Sequence, residues 1–185
     1  MSLFFATLIP GLLLLALGTL FLIGNSAITA TFKALPRSQT AAYVFFGTGA
    51  AWFLYNVWNL SAADFGEYHV QLFFGFAAVA ALSFKLVPDF LAVRGLCVLV
   101  LLGAAPLLEA GYMNFAYGEI WNGGRIYFYK IAVYLAIALA IYLGASPFRL
   151  RDFFEWLYRS PVRGRVLGAA LAVYGLLLVG VAFTY

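Results

Sequence analysis

The longest interruption of the apolar chain runs from Glu109 to Lys130 and reads E-A-G-Y-M-N-F-A-Y-G-E-I-W-N-G-G-R-I-Y-F-Y-K. It carries two carboxylates, Glu109 and Glu119, two cations, Arg125 and Lys130, and seven aromatic residues. An acid, an ammonium and phenols that converge in a pocket can hold an ion, pass a proton or grip a polar headgroup. Lys130 carries most of this argument. It lies five residues, about 7 Å, beyond Arg125 into the next apolar run. A charge at the bilayer centre costs roughly 2.5–3.5 kcal/mol; at this shallower depth the cost is smaller, because a long side chain can snorkel outward. Glu109, Lys130 and Tyr134 are therefore candidates for an outward-facing ligand site. The plainer reading is that Lys130 snorkels or pairs with Glu109.

A second group lies earlier in the chain. Trp58 closes an aromatic run, and Asp64, Glu67 and His69 follow within a short loop. Carboxylates beside a histidine can ligate a metal. His69 is the only histidine, however, and no metal-ligand spacing surrounds it. No metal and no cofactor are expected. Glu67, His69, Trp58 and Trp121 complete the set of ligand-binding candidates, against the background that aromatic residues gather at any membrane interface. The sequence holds no nucleophile–base pair, phosphate-cradling glycine loop, zinc motif or nucleotide fingerprint. The enzyme question therefore leans toward no, with no catalytic residues expected. Cys97, the single cysteine, falls within an apolar run and reads as a packed thiol.

The elements that must position these residues are membrane spans. Of 185 residues, 65% are hydrophobic and 10% are charged, whereas soluble domains carry about 25% charged residues. Apolar runs long enough to cross a hydrocarbon core of roughly 30 Å recur throughout. The expected fold is an all-α polytopic membrane protein, a single integral membrane domain over 1–185. It has six transmembrane helices, at about Leu3–Ile28, Thr40–Leu60, Tyr68–Leu86, Phe90–Ala110, Ile126–Gly144 and Arg165–Phe183. The first five residues contain no cation, so the first run is expected to stay as a span rather than leave as a signal peptide.

Between spans 5 and 6, at about 147–160, one amphipathic interfacial helix is expected. Ser146-Pro147 reads as its start and Pro161 as its end. Leu150, Phe153, Phe154 and Leu157 share one helical face, and Arg151, Asp152, Glu155 and Arg159 share the other. Close packing in lipid needs small residues. Ala132, Ala136, Ala140 and Gly144 form one stripe, which suggests a compact bundle with span 5 central; Gly164, Gly168, Ala172 and Gly175 form another.

With six spans, Lys33, Arg37, Lys85, Arg94, Arg149, Arg151, Arg159, Arg163 and Arg165 all fall on one side, against Arg125 and Lys130 on the other. The positive-inside rule makes the first side cytoplasmic. Both termini are then on the non-cytoplasmic side of a plasma or inner membrane. The net charge of +4 is explained by orientation, so nucleic acid is not an expected partner. The expected partners are membrane lipids, other membrane subunits or a second copy of the chain. Function is expected to be that of a non-catalytic subunit or scaffold binding other membrane proteins or lipids. The alternatives are a small transporter or channel with a polar site near Glu109 and Lys130, and a membrane enzyme acting on a lipid or quinone.

Overall fold

The computed structural model describes residues 1–117 and 123–185, with side chains for all of these except 62, 113–117 and 123. All secondary structure among the described residues is helical. The eight α-helices are α1 (Leu3–Ile23), α2 (Ser26–Ala34), α3 (Gln39–Trp58), α4 (His69–Leu86), α5 (Leu91–Tyr117), α6 (Gly123–Ala145), α7 (Phe148–Leu157) and α8 (Pro161–Ala182). Five segments are long and apolar enough to cross a membrane: Leu3–Ile23, Gly66–Leu86, Leu91–Tyr112, Gly124–Ala145 and Pro161–Ala182. Repeated apolar helices of this length make the chain a helical membrane protein. The expected second span, α3, has 20 residues but falls short of that apolarity, because Gln39, Thr40, Tyr43, Thr48, Tyr55 and Asn56 lower its mean hydropathy.

The first expected span is too long. Gly24 adopts a left-handed conformation, φ 51°, and its N–H donates to Leu20 O at 3.1 Å, which ends α1. Asn25 then caps a new helix, its Oδ1 accepting from Ile28 N–H at 2.8 Å. The polar residues Ser26, Thr29 and Thr31 thus belong to the short helix α2 and not to a span. Helix α7 starts at Phe148, one residue later than the Ser146-Pro147 signal suggests; the Ser146 carbonyl accepts from Arg149 N–H at 3.1 Å.

The helices pack as two compact units. The first comprises Met1–Lys33, Gly103–Leu139 and Asp152–Tyr185; the second comprises Ala34–Leu102 and Ala140–Arg151.

In the first unit, α1 and α8 make backbone-to-backbone contact. A Cβ on Gly18 would lie 2.5 Å from Ala172 N and 2.7 Å from Gly168 O. One on Gly175 would lie 2.6 Å from Leu15 N, and one on Gly168 would lie 2.8 Å from Gly18 O. Each helix therefore gives the other its glycines. Apolar side chains gain nothing over lipid by meeting each other, so close backbone packing of this kind is what binds spans together. The glycine run expected on the last span is the α8 half of this contact. On the part of the α6 alanine stripe that lies in this unit, Ala132 and Ala136 are half-buried.

In the second unit, α4 folds back on α3. Phe84 stacks on Tyr43 at 5.1 Å and meets Phe46 edge to face at 5.3 Å, while Phe53 meets Phe76 at 5.1 Å. Gly95 of α5 abuts the backbone of Phe46, and Gly49 faces Val98. Cys97 is free and buried.

Candidate functional site

At one end of the first unit, α1, α5, α6 and α8 share a core of Leu3, Ala6, Ala104, Ala110, Ile126, Tyr129, Val133 and Leu178. Tyr129 is completely buried. Its hydroxyl reaches Leu107 O at 3.4 Å, a long hydrogen bond, and its ring presses on Gly111. Lys130 lies over the same glycine: its Cε is 2.7 Å from the position a Cβ on Gly111 would take. Gly111 is thus the notch in α5 that admits both side chains of α6.

Around this notch is a set of hydroxyls. Thr7 is fully buried, and neither its Oγ1 nor the Tyr185 hydroxyl closes a hydrogen bond. Burial pushes the Tyr185 phenol above its ordinary pKa, with the Arg125 charge pulling it back. The Tyr174 hydroxyl donates to Phe128 O at 2.7 Å, and Arg125 reaches Thr184 O at 3.4 Å. Arg125 and Tyr174 thus tie the start of α6 to the second half of α8 and the residues after it.

Of the sequence candidates, Lys130 is half-buried in this group and Tyr134 is exposed one turn further along α6. Glu109 is exposed on α5. It is two residues from Gly111, so about 200° around the helix, and leaves α5 on the side away from the Lys130 contact. The first candidate group therefore presents one cation at the notch and one carboxylate turned from it. Trp121 and Glu119 lie outside the described residues.

The second group is closed on itself. His69 Nδ1 lies 2.6 Å from Gly66 O, and its ring meets Trp58 at 5.3 Å with the planes nearly perpendicular. With a carbonyl as its partner, Nδ1 is the nitrogen that carries a hydrogen and donates. Trp58 also packs on Phe73 at 5.3 Å. Ser61 donates to Asp64 at 2.8 Å, and Gly66 N–H donates to Ser61 O at 2.8 Å. Glu67 is exposed. Among the described residues no group of three or more His, Cys, Asp or Glu is placed to hold a metal ion.

Sequence reasoning did not single out Tyr129, Thr7 or Tyr185. Gly111, at the edge of an aromatic stretch and five residues after Pro106, was the available signal for a close approach. No family model, curated protein or solved structure matches the chain.

Proposed function

We propose that the chain is a non-catalytic integral membrane protein, a subunit or scaffold that binds other membrane proteins or lipids. The observation that carries this reading is the surface of α4. No residue of α4 is buried. Gln71, Phe74, Gly75, Ala78 and Leu82 follow one another on a single exposed face, and Gly75 has open space where a Cβ would stand. Gly18, Gly95, Gly168 and Gly175 each sit against the backbone of another helix, whereas Gly47 and Gly180 are as open as Gly75. The same small residues on an uncovered face suit a transmembrane helix of a partner better than they suit lipid, which has no need of a groove.

On this reading α3 crosses as a sixth span. Its 20 residues carry no charge and rise about 30 Å. Ser38 caps one end, accepting from Ala41 N–H at 3.2 Å, and Asn59 closes the other, donating to Tyr55 O at 2.7 Å. Both termini then lie on the non-cytoplasmic side of a plasma or inner membrane, with α7 in the cytoplasmic surface. The test is isolation from native membranes in mild detergent. A stoichiometric membrane partner should accompany the wild-type chain and be lost from Gly75→Leu/Ala78→Leu while the thermal transition is unchanged. A wild-type chain that emerges without any partner, or a double variant that keeps it, contradicts the reading.

A second reading, a small transporter or channel with an outward-facing site, is favoured by Lys130. A half-buried lysine beside fully buried Tyr129 is an unusual use of a membrane interior. Solute or ion flux into liposomes that disappears in Lys130→Gln would support it over the first.

A further inference from the structure

Helix α7 carries apolar residues on two faces. Leu150, Phe154 and Leu157 are buried, and Phe154 packs on Phe32 of α2 at 5.4 Å, which in turn packs on Phe21 of α1 at 5.0 Å. Phe153 and Trp156 are exposed, their rings 6.2 Å apart. A connector seated only on its own protein needs the first face and not the second.

Arg163, from the first turn of α8, reaches back over the end of α7. Its guanidinium stacks 4.7 Å from the Trp156 ring, and Nη1 donates to Trp156 O at 3.2 Å. The hydrogen bond adds a second donor to a helix-end carbonyl that also accepts from Arg159 N–H at 3.4 Å, and the cation–π contact fixes the indole. Arg159 and Arg165 flank this fixed pair and are exposed. Val162 and Val166, also exposed, continue the apolar surface onto α8. Indole and valine suit the boundary of the acyl chains, whereas guanidinium forks match phosphate oxygens. The segment 148–165 holds five arginines against Asp152 and Glu155, so its charge complements an anionic leaflet.

We infer that this surface binds anionic phospholipid headgroups: Trp156 seats at the acyl boundary, Arg163 positions it, and Arg159 and Arg165 take the phosphates. The inference deepens the lipid-binding part of the proposed function and rests on the chain residing in a bilayer. It is read on purified protein, so absence of a partner at α4 does not mimic its failure.

Trp52→Phe, Trp58→Phe and Trp121→Phe together leave Trp156 as the single indole. This variant is reconstituted into phosphatidylcholine vesicles containing a minor fraction of brominated phosphatidylglycerol, or the same fraction of brominated phosphatidylcholine. Each arginine near an anionic surface is worth roughly a fivefold enrichment. Trp156 quenching should therefore be several-fold stronger with the brominated anionic lipid, and that ratio should drop several-fold in Arg159→Gln/Arg165→Gln. Equal quenching by the two headgroups, no quenching by either, or a preference undiminished by the double substitution would overturn the inference. If the triple variant does not reconstitute, a bimane on Trp156→Cys in a Cys97→Ala chain gives the same readout.

Discussion

A methyl group added at Gly18 has nowhere to go, because the atoms it meets are the backbone of α8. Gly18→Ala should lower stability by about 2–3 kcal/mol, as overpacking against a rigid neighbour does. Gly180→Ala, with nothing within 4 Å, should be nearly neutral. Thermal unfolding of both variants in detergent compares them directly. At Gly111 the obstacle is side chain: Tyr129 and Lys130. Lys130 can bend aside, but Tyr129 is fully buried and cannot. Gly111→Ala should therefore cost about 2 kcal/mol. Tyr129→Phe alone loses only a long hydrogen bond and should cost under about 1 kcal/mol. The double variant should be more stable than the sum of the two, and strict additivity would show that the hydroxyl is not what blocks the methyl. These residues differ in how far the sequence exposes them. Gly164, Gly168, Ala172 and Gly175 declare a groove by their spacing. Gly11 and Gly18, one heptad apart in a leucine run, do not. Tyr129 is indistinguishable by type from the interfacial aromatics around it, and only its burial separates core from belt.

At the scale of the helix, the local rules act where the sequence reading looked past them. The apolar run at the start of the chain continues through Ile28, but Gly24 and Asn25 supply a left-handed stop and an N-cap back to back. Hydropathy averages over such a break. Gly24→Ala forces a Cβ into the left-handed region and should cost about 1–2 kcal/mol. A cost near zero would mean that α1 and α2 can merge into one helix. Helix α7 was legible because its period of apolar residues is unambiguous; its second exposed aromatic face was not, since Phe153 falls beside the buried stripe in a wheel and only packing shows that Phe154 is taken and Phe153 is left. Helix α4 is the reverse case. Its apolar composition marks it as a span, yet nothing in that composition tells that it buries no residue and keeps Gly75 open.

At the scale of the whole chain, apolar runs and the placing of cations account for the helical membrane class with little help from detail. The candidate site was less legible. Glu109 and Lys130 are close in depth along the membrane normal if their helices are antiparallel, but depth does not fix the direction in which a side chain leaves its helix. The turn between Glu109 and Gly111 sends the carboxylate away from the notch that receives Lys130. Charge reversal, Glu109→Lys with Lys130→Glu, should therefore fail to rescue Lys130→Glu in a stability assay; restoration would show that the two do pair. The central claim is that the chain crosses the bilayer with α3 as a span and nine of its eleven cations held on one face. Single cysteines in a Cys97→Ala chain, probed with a membrane-impermeant maleimide in intact cells, test it most directly. Asp64→Cys and Gly124→Cys should label from outside, while Ser38→Cys, Lys85→Cys and Arg159→Cys should label only after permeabilisation. Labelling of Asp64→Cys on the same side as Ser38→Cys would contradict the claim.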